Sequence, residues 1–346
     1  METIFSPNHR LHESPGELLH DGYVPAFEKP ERAELVLARV KETGLGPVSP
    51  EAHYELDSIL RVHDAGLVAL LQSAAAEWRA LNRPGCAIPF TWATRGMRQD
   101  RIPTGLDGRL SYYGFDAGTP ITPTSWQAIK SSVDVALTAT ARITNGARSV
   151  FGLCRPPGHH AGSDHYGGYC FLNNAAIAAQ HFLDGGASRV AILDVDYHHG
   201  NGTQQIFYGR NDVLVVNIHA GPDHEYPFRL GWADETGAQA GEGFNLNLPL
   251  PAGTNWQGWS QALETGLRRI AVFGADVLVV SLGVDTYKGD PISQFRLEHD
   301  DFTRMGARIA SLGKPTVFLM EGGYAVAEIG INAVNVLTGF EGAARL

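Results

Sequence analysis

The chain has 346 residues, 44% hydrophobic and 18% charged, which supplies a sizeable core and rules out the composition of a disordered segment. Its formal net charge of −10 argues against a nucleic-acid partner, which would need clustered Lys and Arg, and leaves room for a cationic ligand. Cys86, Cys154 and Cys170 form no C-x-x-C pair, no secretory leader opens the chain and no apolar run is of membrane-spanning length, so neither disulfides nor a membrane span is expected and the location expected is cytoplasmic.

In chain order, helical periodicity first appears at 31–42. Residues 82–124 are rich in Gly, Pro and Arg and show no sustained period. Loops of this length in a compact domain are usually functional, and Phe90, Trp92, Tyr112, Tyr113 and Phe115 predict an ordered surface that meets something. A helix is predicted at 125–144, then a buried strand at 149–153, a helix at 174–183 and strands at 189–193 and 213–217. After an irregular stretch at 220–243 come a helix at 256–273, a strand at 276–281, a helix at 300–311 and a strand at 315–320. The strands are almost continuously hydrophobic, the pattern of a parallel sheet covered on both faces. The prediction is one domain over 1–346, a three-layer α/β/α sandwich with a mainly parallel sheet and an inserted loop at about 82–124.

Two short runs carry most of the chemistry, Arg155-Pro156-Pro157-Gly158-His159-His160 and Leu193-Asp194-Val195-Asp196-Tyr197-His198-His199-Gly200. Each follows a predicted strand, so the polar groups fall at strand C-terminal ends, where open α/β sheets bind ligands. If the backbone stays extended, Asp194, Asp196 and His198 project to one side as a comb of metal ligands. Asp285 emerges at the end of the 276–281 strand, and two carboxylates with one imidazole suit catalytic zinc or ferrous iron. Two anionic ligands temper the acidity of water at the ion, so a separate base is useful, and His159 and His160 supply it. In Glu321-Gly322-Gly323-Tyr324, two glycines allow close backbone approach and place a phenol that can stabilise an oxyanion.

Together with Gly167-Gly168-Tyr169-Cys170-Phe171-Leu172-Asn173-Asn174, these motifs resemble the zinc-dependent histone deacetylase superfamily, and within it the bacterial acetylpolyamine amidohydrolase branch. The resemblance implies an arginase/deacetylase-like fold in which Asp196, His198 and Asp285 bind zinc, His159 and His160 move protons and Tyr324 polarises the scissile carbonyl. Asp194 would orient His159, and Asn201 stands beside His160 where many members place an Asp. A neutral Asn raises the pKa of His160 less, which leaves the division of acid and base roles open. The resemblance also implies structural potassium, with Asp194, Asp196, His198 and Asn217 at an inner site and Phe207, Arg210 and Val213 at an outer one. Tyr169 and Tyr226 would wall the substrate tunnel, and the Gly168 carbonyl would accept the substrate amide N–H. Arginases share the fold but need further carboxylates for a second metal, and Gly200 and Gly283 occupy those positions here.

The catalytic motifs do not separate acetyl-lysine from an acetylated polyamine. In the polyamine branch a long insertion resembling 82–124 dimerises and narrows the entrance, and Glu17, with Asp107 or Asp116, would supply rim acids for ammonium groups. The expected function is therefore deacetylation of acetylputrescine, acetylcadaverine or acetylspermidine by a homodimeric hydrolase. The alternatives are a protein acetyl-lysine deacetylase of the same chemistry and a non-catalytic module that binds acylated amines.

Overall fold

A computed structural model describes residues 1–19 and 22–344. Its elements run β1 (Glu2–Ile4), β2 (Glu17–Leu19), β3 (Gly22–Val24), α1 (Glu31–Glu42), β4 (Val48–Ser49), α2 (Asp57–Leu60), α3 (Ala65–Ala80), α4 (Leu106–Tyr113) and α5 (Ser125–Thr144). There follow β5 (Ser149–Gly152), α6 (Asn174–Asp184), β6 (Val190–Asp194), α7 (Asn201–Phe207), β7 (Val213–Ala220), β8 (Asn245–Leu250), α8 (Trp256–Phe273), β9 (Val277–Leu282), α9 (His299–Ala310), β10 (Thr316–Met320) and α10 (Ile329–Ala344).

Eight strands form one sheet in the order β4-β1-β5-β10-β9-β6-β7-β8, with every neighbouring pair parallel. Alternation along the central strands explains both covering layers. Ala191, Leu193, Leu214, Val216, Leu278, Val280 and Phe318 face one core with α1, α8, α9 and α10. Val190, Ile192, Val213, Val215, Val279 and Val317 face another with α5 and α6. Both sets are apolar because the sheet has no wet face, so the predicted three-layer sandwich with a parallel sheet is the observed fold.

The five predicted strands and five predicted helices are all present, three of the helices with the predicted ends and the rest with ends that move by at most three residues. β8 has no continuous apolar run because it is an edge strand: Asn245 and Asn247 alternate with Leu246 and Leu248, and Pro249 sits where an edge tolerates it. The 82–124 segment is more structured than its sequence indicates. Ala87 and Ile121 pair as an antiparallel bridge that closes its base. Within it, α4 buries Leu106, Leu110 and Tyr113 against α3 and α5 in a third apolar cluster. Only its outer part presents large apolar side chains, with Phe90 72%, Met97 57% and Ile102 42% exposed.

Candidate active site

The adjacent strands β5, β10, β9 and β6 deliver, from their C-terminal ends, His159 and His160, Tyr324, Asp285, and Asp196 with His198. The backbone does not stay extended beyond β6, contrary to the comb expected from sequence. Asp194 Oδ1 accepts the N–H of Asp196 (3.1 Å) and Asp196 Oδ1 accepts that of His198 (2.9 Å), so two successive side-chain-to-backbone bonds turn the chain. Asp194 is thereby directed to His159, where Oδ2 accepts from Nδ1 at 3.0 Å. Asp196, His198 and Asp285 converge elsewhere, with one donor atom from each within 4.8 Å of the others and all three residues buried.

This trio fits a divalent transition ion. Burial and the neighbouring Asp196 charge push Asp285 up to about 8, a repulsion that a cation between the two carboxylates removes. The cradle has no room for side chains: a Cβ on Gly283 would stand 2.1 Å from Asp196 Oδ2, and one on Gly200 2.4 Å from Asp194 Oδ2. The carboxylates of a second metal cage therefore cannot be added on this backbone.

The two histidines, with ring centroids 4.0 Å apart, are in opposite electrostatic states. Burial lowers His159, but Asp196 and Asp194 outweigh it and hold the imidazole up at about 10. Burial drives His160 well below its ordinary value, the charges of His159 and His198 push the same way, and the bond from Nδ1 to Asn201 Oδ1 (2.7 Å) offsets this only in part. Both rings stand on a loop held from below by Glu321, whose Oε2 accepts the N–H groups of Gly158 (2.6 Å) and His159 (3.2 Å).

Tyr324 is fixed through its backbone. Asp290 Oδ2 accepts the N–H groups of Tyr324 (2.7 Å) and Ala325 (3.1 Å), and Asp196 Oδ2 accepts that of Gly322 (2.8 Å). Arg32 donates to the carbonyls of Glu321 and Gly323 (both 2.6 Å), and its guanidinium lies 4.7 Å from the Tyr324 ring centroid. Glu28 joins Arg32 to Arg155 through bonds of 3.0, 2.7 and 2.9 Å, making a buried Arg–Glu–Arg unit under the turn. Burial keeps the Tyr324 phenol protonated, as a hydrogen-bond donor must be.

Above this floor stand Tyr169 and Tyr226. The Tyr169 ring lies edge-on to Tyr324 at 5.6 Å and the Tyr226 ring edge-on to His160 at 5.0 Å. Each phenol donates to a carboxylate, Tyr169 to Glu17 Oε2 (2.5 Å) and Tyr226 to Asp116 Oδ2 (2.7 Å). Asp116 also accepts from Gly168 N (2.6 Å), Gly118 N (3.0 Å) and Thr119 Oγ1 (3.1 Å), so all four of its lone-pair sites are engaged. Among the described residues, Glu17 accepts one further bond, from Phe27 N (2.7 Å). Asp107 is bonded by both oxygens to Arg83 at the base of the insertion and not to these tyrosines. Gly168 has φ +57°, and a Cβ there would meet the His160 ring at 2.3 Å. Among the residues expected to hold potassium, Asn217 accepts Gly200 N–H (3.1 Å) and the Phe207 carbonyl accepts Arg210 N–H (2.9 Å).

Sequence reasoning singled out the reacting groups and missed their supports, Arg32, Glu28, Thr119 and Asp290. Glu28 and Arg32 are spaced i, i+4, which is a readable signal, whereas Asp290 before Pro291 reads as an ordinary turn.

A family profile described as the histone deacetylase domain matches residues 26–340. Acetylpolyamine amidohydrolase 2 of Pseudomonas aeruginosa is 59% identical over the full length of both chains. Acetylpolyamine amidohydrolase of Mycoplana ramosa is 48% identical over 99% of this chain and all of that one. The crystal structure of acetylpolyamine aminohydrolase from Burkholderia pseudomallei superposes with a TM-score of 0.94 at 37% identity, covering 99% of each chain. With the motif residues in place on this fold, the chain belongs to the histone deacetylase family.

Proposed function

We propose that the chain is a zinc-dependent amidohydrolase that removes acetyl groups from acetylated polyamines or short diamines. The observation that carries this reading is the meeting of the Asp196–His198–Asp285 trio, the His159–His160 pair and Tyr324 under two tyrosines backed by acids. The names of the relatives support the polyamine substrate. Asp196, His198 and Asp285 would hold the ion, which when bound polarises the acyl carbonyl and acidifies the attacking water.

The protein groups do the rest. His160, kept neutral, accepts a proton from water through Nε2, since its Nδ1 is bonded to Asn201. His159, held at Nδ1 by Asp194, favours its charged form and supplies positive charge where negative charge develops. The Tyr324 hydroxyl donates to the oxygen of the former carbonyl, and the Gly168 carbonyl accepts the substrate amide N–H. His160 then returns its proton to the departing nitrogen, leaving acetate and the free amine. Of the proposed rim acids, Glu17 keeps acceptor sites for a substrate ammonium, whereas Asp116 acts through the tunnel wall that it fixes.

The exposed Phe90, Met97 and Ile102 support dimerisation through the outer insertion, and structural potassium belongs to the same reading. The three free cysteines accord with a cytoplasmic location, and no helix among the described residues is long and apolar enough to cross a membrane. A profile across acetylputrescine, acetylcadaverine, acetylspermidines and acetyl-lysine peptides tests the substrate class, with the short cationic amines expected to give the highest kcat/KM. Preference for long peptides favours the protein-deacetylase alternative.

A further inference from the structure

We propose that His159, Cys170 and Glu321 form a second, inhibitory site for a borderline-soft divalent cation such as Zn²⁺ or Cd²⁺. One donor atom from each lies within 4.8 Å of the others, all three residues are buried, and none belongs to the Asp196–His198–Asp285 trio. Hydrogen bonding decides which atoms are free. His159 Nδ1 is bonded to Asp194 and Glu321 Oε2 to two backbone N–H groups, which leaves Nε2 and Oε1, and the Cys170 sulfur, which meets the His160 N–H, keeps a further lone pair.

Glu321 Oε1 is a second, independent indication, because it is buried without a hydrogen-bond partner among the described residues. A buried carboxylate oxygen in that state is unusual, and a cation supplies the partner it lacks. One imidazole, one thiolate and one carboxylate make a donor set that zinc and cadmium accept. Ligands about 2.0–2.3 Å from a tetrahedral ion stand on the order of 3.5 Å apart, so only a modest contraction is required.

On binding, the Cys170 thiol proton and the His159 Nε2 proton both pass to solvent as the sulfur–metal and nitrogen–metal bonds form, the freed thiolate and Nε2 lone pairs going to the ion. No oxidation or reduction is involved. The ion then occupies the Nε2 edge of His159 and sits against the catalytic pair, so turnover stops while the first metal remains in place.

The test uses protein holding one zinc per chain, titrated with Cd²⁺. Ultraviolet thiolate-to-metal absorption, bound metal per chain after desalting, and hydrolysis of an acetylated amine are read on the same samples. The expected result is one additional ion per chain, a thiolate band and loss of activity together. Cys170→Ala should retain most basal activity, show no band and need at least tenfold more Cd²⁺ for half-inhibition, and Cys170→Ser serves if the alanine variant does not fold. Equal inhibition of both variants and the parent, or inhibition with zinc displaced and one ion per chain throughout, would overturn the proposal. The band and the stoichiometry are read without turnover, so failure of the substrate assignment is distinguishable from failure of the site.

Discussion

At the floor of the site, the reacting groups leave four neighbouring strands of one sheet, whereas at the wall Tyr169 and Tyr226 stand on loops and are held by Glu17 and by Asp116 of the insertion. The floor's neighbours are fixed by strand register and by buried side chains that bind backbone N–H groups. The wall's phenols are fixed by two carboxylates, each reached across one hydrogen bond. On the proposed function, chemistry is thus built into the sheet, and choice of substrate into contacts that can change without disturbing it.

The sharpest way to break this contrast is at the floor. Asp285→Ala should abolish both metal retention and turnover, measured by elemental analysis and a product assay on the same protein. Two retained catalytic metals per native chain would contradict the crowding at Gly283 and Gly200. Tyr324→Phe should lower kcat about 10²- to 10³-fold with KM nearly unchanged, because its hydroxyl stabilises charge that develops only in the transition state.

Asp290→Asn should cost roughly tenfold to hundredfold in kcat with metal content unchanged, and less than about threefold when Tyr324 is already Phe. An equal cost in both backgrounds would mean that Asp290 supports the fold at large and not the tyrosine that its Oδ2 holds.

At the wall, Glu17→Gln should raise KM for cationic acetylated amines about tenfold and leave a neutral alkyl acetamide within twofold, since it removes charge and little shape. A loss equal for both substrates would assign Glu17 to the floor's kind of support. The smallest expected effect is a shift of pH profile. His160 works as its neutral base and its pKa is lowered, so kcat/KM should fall only when pH drops below the ordinary histidine range. Asn201→Asp should move that acid limb up by about one unit, because an anion beside Nδ1 favours the imidazolium.

The floor was legible because its residue types serve no packing purpose: Asp196, His198, Asp285, His159 and Tyr324 follow apolar strands with nothing in the core to need them. What sequence misjudged was the path between them. Alternation implied one comb, and only the bonds from Asp194 and Asp196 to following N–H groups show why Asp194 parts from the other two. The wall was harder to read, since the role of Asp116 depends on Gly168, Thr119 and Tyr226 arriving from distant parts of the chain. Asp107, a similar acid nine residues earlier in sequence, faces Arg83 instead. Arg32 was missed for the same reason: on α1 it reads as a solvent-facing residue, and only Glu28 and the carbonyls of Glu321 and Gly323 explain its burial.

The glycine cradle at the ligand trio also bears on descent. A protein with two metals on this architecture would differ from this one by carboxylates at 200 and 283, a change that looks short on paper. Yet any side chain at Gly283 drives a carbon to 2.1 Å from Asp196 Oδ2, of the carboxylate proposed to hold the metal. An intermediate genotype would lose the old reaction before acquiring the new one. On the proposed function, substitution in this chain is therefore expected to reshape the entrance more readily than the metal cradle, giving new acylated amines before new hydrolytic chemistries.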